Sequence, residues 1–252
     1  MTLQFDVAWF SAFLLAMVRA TAWLMVAPPF NGNAIPQRVK LGLAVAFALF
    51  VAPHFTDGAT LGNSAEFIPA VLYQAVIGLT MGFGVQLLLA SVQSAGALID
   101  FSAGFSMAQA FDPLTNIQST PFARVTSLVA TTILFASGGH RVIVKGFLAS
   151  FAGPADGGVT IEQVGRILVH DFTTYFAAAL QMAVPLFAAL FLAEVALGLL
   201  SRAVPQMNIL SIGFGVKVFG TLLLGGLSLK ALPAILYPLV SQAAETMVAL
   251  GG

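Results

Sequence analysis

The sequence predicts an all-α, polytopic membrane protein with about six long apolar helices. Of its 252 residues, 59% are hydrophobic and only 8% are charged, whereas a soluble domain carries about 25% charged residues. Several uncharged runs approach or exceed the roughly 20 residues that span a bilayer as a helix. The 10 Lys and Arg are scattered and balanced by 10 Asp and Glu, which excludes a nucleic-acid binder because such a protein needs a basic patch.

The apolar runs locate the helices. The longest runs without Asp, Glu, Lys or Arg contain 33 and 22 residues, at 67–99 and 172–193. We expect the first helix to remain in the protein, because it has none of the basic residues that precede the apolar run of a signal peptide. The expected helical segments are 7–27, 39–53, 67–99, 122–148, 172–200 and 207–232, followed by a less regular tail.

The 33-residue run is too long for one simple span. It would extend about 50 Å at 1.5 Å per residue, so we expect it to tilt, to break or to continue into protein. Gln86, Gln93 and Asp100 recur every seven residues on one helix face, and Gly78 and Gly82 form a pair of small residues that admits another backbone. The sequence leaves three roles open for this face: it packs within the chain's own bundle, it packs against other subunits, or it lines a water-filled path.

Three basic residues, Arg19, Lys217 and Lys230, lie inside apolar segments. A mid-membrane Arg costs about 2.5–3.5 kcal/mol on insertion scales, so it needs a partner. Each of the three either marks a functional site or forms a structural salt bridge or snorkelling contact. The candidate partners of Arg19 are Asp100, Asp112 and Glu194.

Residues 100–121 predict an ordered central loop between two long helices. They combine Gly104, Pro113 and Pro121 with several Phe and Met residues, and the Asp-Pro pair is a turn or helix-stop signal. Met and Phe on a loop can fill an aperture and repack, and hydrophobic constrictions can gate pores. The alternative is a re-entrant or interfacial loop without a gating role.

Motifs for catalysis and metal binding are missing from the sequence. There is no Cys, and the three His are isolated. A Gly-x-Ser-x-Ala stretch at 104–108 superficially resembles a nucleophile elbow, but no strand precedes it. We therefore expect no enzyme activity, no cofactor and no metal.

Four segments together resemble one known family. They are Ile-Pro-Gln-Arg-Val-Lys-Leu-Gly-Leu at 35–43, the stretch 104–113 that ends in Phe-Asp-Pro, Gly-Leu-Leu-Ser-Arg with Pro-Gln at 198–206, and Asn-Ile leading to Ile-Gly-Phe at 208–214. In this order and spacing the chain resembles the FliR family of flagellar biosynthetic proteins. That family is similar to the T component of virulence type III export apparatus. The resemblance runs from about Arg19 to the C-terminus.

The resemblance implies a role in protein export. It implies that one such chain joins several FliP-like and FliQ-like membrane subunits, with FlhB-like and FlhA-like export proteins, in a hetero-oligomeric export gate. This gate lies in the bacterial inner membrane at the flagellar basal body, and unfolded flagellar proteins pass through it. Residues 1–171 would be FliP-like and 172–252 a FliQ-like hairpin that turns at Arg202, Pro205 and Gln206.

The resemblance also implies site residues. The family carries a pore plug that corresponds to 104–121 here, and a ring of Met and Phe would seal the pore against ions while yielding to a polypeptide. The plug residues are Gly104, Phe105, Ser106, Met107, Phe111, Asp112 and Pro113. The subunit-packing residues are Pro36, Arg38, Lys40, Gly78, Gly82, Gln86, Gln93 and Asp100.

Two other functions remain open from the sequence. A small-molecule secondary transporter would need broken helices and internal repeats; Pro185 and the Gly-rich stretch 213–226 fit it, but no inverted repeat is convincing. The equivalent subunit of a virulence type III secretion system is the second alternative. The Ile-Pro-x-Arg-Val-Lys pattern, however, resembles the flagellar proteins more than the virulence proteins.

Overall fold

The protein is all-α over the residues that its structure describes, which confirms the predicted fold class. The structure is a computed structural model and describes residues 7–32, 35–55, 64–105, 120–153, 158–204, 206 and 209–252. Short 3-10 turns follow two of the helices, at Ala52–His54 and Ser150–Ala152. The α-helices of the described ranges are α1 (Val7–Val26), α2 (Gln37–Val51), α3 (Ser64–Ala103), α4 (Pro121–Ala136), α5 (Gly139–Ala149), α6 (Ile161–Ala203) and α7 (Ile209–Gly251).

Four of these helices are long and apolar enough to cross a bilayer. Their apolar parts are Ala8–Val26, Phe67–Ala103, Ile161–Ala203 and Ile212–Gly251. A fifth candidate span is α4 taken together with α5 and its 3-10 turn, a pair that is bent by 71°. The expected count of about six is not confirmed, because α2 has 15 residues and a span needs about 20.

The three longest helices exceed the thickness of a bilayer. α3 contains 40 residues, and α6 and α7 contain 43 each, which gives lengths of about 60 and 65 Å. The hydrocarbon core is about 30 Å thick. The long uncharged run of α3 does not break, so the helix must tilt in the bilayer or extend beyond it.

Contacts divide the described chain into two compact units. The aromatic core of the first unit contains Trp23 of α1, which stacks on Phe147 of α5 with ring centroids 4.3 Å apart. Phe151 packs edge-on against Phe147 at 5.2 Å, and α2 packs along α1. The first unit draws its described residues from Met1–Leu88, Gly138–Thr173 and Pro238–Gly252.

The second unit draws its described residues from Leu89–Ser137 and Thr174–Tyr237. Its core is built from small and branched side chains of α3 and α6 and from the Phe122 ring of α4, with Leu224 of α7 packed against them. The buried members of this core are Ala95, Ile99, Ala103, Phe122, Ala179, Ala183, Leu186 and Leu190. The two units are defined by contacts within the chain. The boundary expected between residues 171 and 172 is of another kind, because it separates a FliP-like part from a FliQ-like part, and it stays a prediction.

Candidate functional site

A buried carboxylate lies at the base of the segment that follows α3. Asp100 is in the last turn of α3 and is fully buried. Its Oδ1 accepts a hydrogen bond from the Phe122 N–H at 3.0 Å, and its Oδ2 accepts one from the Ala123 N–H at 2.8 Å. Each carboxylate oxygen therefore binds a different backbone donor of α4, and a charged acceptor makes such bonds stronger than neutral pairs.

These two bonds complete the N-terminus of α4, where backbone N–H groups lack partners within the helix. Pro121 occupies the first helical position and has no N–H to satisfy. The next two N–H groups donate to Asp100, and the Arg124 N–H donates to the Thr120 carbonyl at 3.0 Å. The Thr120 side chain makes no capping bond. Asp100 replaces it as the cap, with its negative charge at the positive end of the helix macrodipole.

The backbone carbonyl of Asp100 also binds a residue that follows α3. The Phe105 N–H donates to the Asp100 carbonyl at 3.0 Å. Gly104 has a φ of +84°, a left-handed conformation that glycine adopts readily at the end of a helix. Residues on both sides of 106–119 therefore converge on Asp100. We call this group the loop neck; it comprises Asp100, Gly104, Phe105, Phe122 and Ala123.

Two glycines allow close packing at the loop neck. A Cβ added to Gly96 would lie 2.6 Å from the Ala123 Cα and would also overlap Thr126. A Cβ added to Gly225 of α7 would lie 2.6 Å from Cε2 of the Phe122 ring. The start of α4 is therefore held by α3 on one side and by α7 on another.

The structure describes four residues of the predicted plug 104–121, namely Gly104, Phe105, Thr120 and Pro121. Gly104 directly follows α3, and the half-buried Phe105 packs against the core of the second unit. The plug role stays a prediction for all seven residues. Ser106, Met107, Phe111, Asp112 and Pro113 lie outside the described residues.

The face of α3 that we expected to pack against other subunits is only partly exposed. Gln86 and Gln93 are exposed, whereas Asp100 is fully buried. Asp100 lies in the last turn of α3, where its carboxylate binds the start of α4, so the contact with α4 buries only the last member of the series. Asp100 is used within the chain, and contact with another subunit stays a prediction for the two glutamines.

Gly78 and Gly82 admit α1 of the same chain. A Cβ added to Gly78 would lie 2.9 Å from the Ala22 Cβ and would overlap the Arg19 carbonyl. A Cβ added to Gly82 would lie 3.0 Å from the Trp23 carbonyl oxygen. The close approach at these glycines therefore lies within the chain's own bundle, and their contact with another subunit stays a prediction.

The entrance to α2 presents two basic side chains in different settings. Pro36 is the N-cap of α2, with φ −58° and ψ 144°. The Lys40 Nζ donates to the Asn31 carbonyl at 3.0 Å. Arg38 is exposed, and within the described residues its side chain makes no hydrogen bond or ion pair. The packing role of this turn stays a prediction.

Arg19 is fully buried in the first unit. Its Nε donates to the Gln74 Oε1 at 2.5 Å, and its Nη1 donates to the Ser150 carbonyl at 2.7 Å. The guanidinium carbon lies 4.5 Å from the Phe151 ring centroid and 5.1 Å from that of Phe55. Ser150 follows α5, so Arg19 meets the negative end of that helix as well as two aromatic faces.

The carboxylate partners expected for Arg19 are therefore wrong where the structure describes them. Asp100 binds α4, and Glu194 pairs with the Lys217 Nζ at 2.9 Å. Asp112 lies outside the described residues. Among the described residues, the partners of Arg19 are neutral acceptors and aromatic rings.

The buried polar residues that were not predicted from the sequence include Gln74, Ser150 and Asp171. The first two bind Arg19, and the Asp171 Oδ1 accepts a hydrogen bond from the Thr246 hydroxyl at 3.1 Å. A search for acids near Arg19 overlooks uncharged acceptors. The available signal was a polar residue inside or at the edge of an apolar run, since such a residue needs an internal partner.

The predicted hairpin turn lies between α6 and α7. Arg202 is exposed in the last turn of α6, and Gln206 is exposed between the helices. Pro205 lies outside the described residues. Lys230 is exposed on α7. The role of the three turn residues stays a prediction.

These features define a helical membrane protein in which Asp100 binds the residues on both sides of 106–119, Phe105 through its backbone carbonyl and the start of α4 through its carboxylate. The family model described as "Bacterial export proteins, family 1" matches residues 10–243. The chain belongs to this family, and the resemblance to FliR proteins is confirmed.

Individual relatives cover nearly the whole chain. The flagellar biosynthetic protein FliR of Bacillus subtilis is 28% identical over 245 residues, which cover 94% of this chain and 93% of the relative. FliR of Pectobacterium carotovorum is 31% identical over 237 residues, covering 94% and 91%. The surface presentation of antigens protein SpaR of Salmonella typhimurium is 27% identical over 204 residues, covering 81% and 77%.

Proposed function

We propose that the chain is a structural, non-enzymatic subunit of a bacterial flagellar protein-export apparatus. The family match over 10–243 and the FliR relatives support this role. The observation that carries a channel function is the loop neck, in which Asp100 binds both flanks of 106–119. The residues that flank 106–119 are therefore held in place on both sides.

We propose that residues 104–121 plug the opening through which substrates pass. Phe105, Met107 and Phe111 supply apolar side chains, and Met in particular adapts its shape to its surroundings. Such a constriction excludes ions by dewetting and yields when a polypeptide enters. The seal matters because each charge that crosses a potential of 100 mV dissipates about 2.3 kcal/mol.

The proposed partners are FliP-like and FliQ-like membrane subunits with FlhB-like and FlhA-like export proteins, and the proposed substrates are unfolded flagellar proteins. The location is the bacterial inner membrane at the flagellar basal body. The exposure of α6 and α7 supports this proposal. In the most apolar stretch of each helix, only 17% is buried within the described chain, so most of this apolar surface is available to lipid or partner helices. In this proposal 1–171 is FliP-like and 172–252 is FliQ-like.

The flagellar system is the better supported of the two export systems. The Pectobacterium FliR reaches 31% identity with 94% of this chain covered, whereas SpaR reaches 27% with 81% covered. The equivalent subunit of a virulence system is therefore the second candidate. We do not retain the small-molecule transporter, because the family match supports protein export.

Deletion of residues 106–118 tests the plug while leaving the loop neck in place. The variant replaces the natural copy in cells, where ion leak is followed with a membrane-potential dye and export by secreted flagellar protein. We expect increased leak and altered export with a normal yield of assembled complex. Unchanged leak together with unchanged export would rule out the plug.

A second variant separates the side chains of the loop from its length. A Gly-Ser segment of equal length in place of 106–118 keeps a flexible connection but removes the Met and Phe side chains. We expect this variant to leak like the deletion. A tight seal in the Gly-Ser variant would show that loop length, and not apolar side chains, closes the opening.

A further inference from the structure

A cavity in the second unit lies among α3, α4, α6 and α7 and has a volume of about 400 Å³. Small-molecule sites commonly have volumes of roughly 300–1,000 Å³, so this cavity is large enough for a ligand. Its lining includes the exposed residues Gln181, Pro185, Leu227 and Ala231. The cavity therefore reaches the surface of the protein, and a ligand can enter it from outside.

The cavity wall offers little hydrogen bonding to a ligand. Among the described residues that line it, none is charged. The Thr126 hydroxyl donates to the Ala123 carbonyl at 2.9 Å, and the Ser228 hydroxyl donates to the Gly225 carbonyl at 2.8 Å, so both hydroxyls already donate within their own helices. The Gln181 amide is at the exposed edge. A polar ligand would lose its hydrogen bonds to water inside this cavity, whereas a hydrocarbon has none to lose.

We propose that the cavity binds an acyl chain of a phospholipid from the surrounding bilayer. Three of the four helices that line it, α3, α6 and α7, are long and apolar enough to span a membrane, and acyl chains are the abundant apolar ligand around such helices. An empty cavity deprives the atoms of its wall of dispersion contacts, and an apolar cavity does not hold water well. The proposal uses the membrane-spanning helices alone and is independent of the export role.

The bound acyl chain would pack against the loop neck. Ile99 and Phe122 both line the cavity. The N–H of Phe122 is held by Asp100, and its ring lies against Gly225. Occupation of the cavity therefore adds apolar contacts to the start of α4, so the lipid stabilises the residues of the loop neck.

Photolabelling tests the site in the full chain purified with its native complex. The complex is reconstituted in vesicles of phosphatidylethanolamine and phosphatidylglycerol, with a fraction of the phosphatidylethanolamine carrying a diazirine at the end of one acyl chain. After irradiation, mass spectrometry maps the adducts. We expect them to concentrate at the lining residues Met182, Leu227 and Ile235.

A matched pair of variants distinguishes the cavity from general contact with lipid. Ala189 lines the cavity, whereas the neighbouring Ala188 is exposed and does not line it. Ala189→Phe fills the cavity and should abolish the adducts at the lining, and Ala188→Phe should preserve them. Should Ala189→Phe prevent assembly, Ala231→Phe at the rim gives the same comparison, with Ala234→Phe as its control.

Two results would overturn the proposal. One is an even spread of adducts over exposed apolar side chains such as Phe191 and Leu222, with no effect of Ala189→Phe. The other is the absence of adducts from the lining in an intact complex, which would indicate that a side chain of another subunit fills the cavity.

Discussion

The carboxylate of Asp100 accepts a hydrogen bond from the Phe122 amide at 3.0 Å and so joins the end of α3 to the start of α4 across 22 positions of sequence. Asp100 has no exposed surface, and Phe122 is 9% exposed. The backbone carbonyl of Asp100 also accepts the Phe105 N–H. A single buried residue therefore fixes both flanks of the predicted plug.

Asp100→Ala should destabilise the protein and increase ion leak. The change removes two bonds to a charged acceptor and leaves two N–H groups of α4 without partners, and loss of a helix cap costs about 0.5–2 kcal/mol. Asp100→Asn keeps one carbonyl oxygen and should be intermediate. Thermal unfolding in detergent and a membrane-potential dye provide the measurements.

The matched control for this prediction is Glu162→Ala. Glu162 is an acid on α6 whose side chain is 76% exposed in its pair with Arg166, and such surface pairs contribute about 0–1 kcal/mol. Melting and leak of this variant should equal those of the wild type. Wild-type melting and leak in Asp100→Ala would contradict the role of the loop neck.

Gly78→Ala should destabilise the packing of α1 on α3. Its Cβ would overlap the Arg19 carbonyl and would lie 2.9 Å from the Ala22 Cβ, so the helices must separate. Gly42→Ala is the control, because an added Cβ there meets nothing within 4 Å and alanine is about 0.5–1 kcal/mol better than glycine inside a helix. Thermal unfolding should rank Gly42→Ala above Gly78→Ala, and the opposite order would refute the close approach.

Arg19→Lys should be strongly destabilising although it keeps the charge. A lysine ammonium cannot reproduce the planar fork that reaches Gln74 and Ser150, and each hydrogen bond lost from a charged group costs about 1.5–3 kcal/mol. Arg124→Lys on the exposed side of α4 is the control and should melt like the wild type. Equal melting temperatures for the two variants would show that the buried network contributes little.

Replacing Arg38 and Lys40 by Gln should weaken assembly. Arg38→Gln alone should lower the yield of complex without changing the melting of the isolated chain, because Arg38 is exposed and makes no hydrogen bond or ion pair within the described residues. Lys40→Gln removes an exposed bond to Asn31 and should change the melting only slightly. A normal yield of complex from the double variant would count against this turn as a packing element.

Composition and uncharged runs predicted the helical membrane class and most helix positions, but they underestimated helix length. The segment expected at 172–200 is part of Ile161–Ala203. Glu162 and Arg166 lie in the first turns and pair at 2.7 Å with i,i+4 spacing, which supports a helix. Charged residues therefore end an apolar run without ending the helix that contains it.

The bend between α4 and α5 was missed although the sequence carried a signal for it. One segment was expected at 122–148, whereas the structure has two helices bent by 71°. Gly138 lies between them with a φ of +77°, a conformation that favours glycine. The Ser-Gly-Gly stretch at 137–139 is a turn signal. It was not used because the helices were located from runs without charged residues, and this stretch carries no charge.

The loop neck could not be predicted from sequence spacing. The seven-residue spacing placed Asp100 on the same face as Gln86 and Gln93. This prediction used positions on α3 alone and no contact with another helix. The bonds from Asp100 to α4 form only when the chain between the two helices brings their ends together. That closure depends on tertiary packing at Gly96 and Gly225 and not on local propensity.

Native mass spectrometry of the tagged chain, extracted in mild detergent at natural expression level, tests the proposed export role most directly. We expect a large complex that contains one copy of this chain with several copies of two other small membrane proteins. A monomer or homodimer without other chains, found in several detergents, would contradict it.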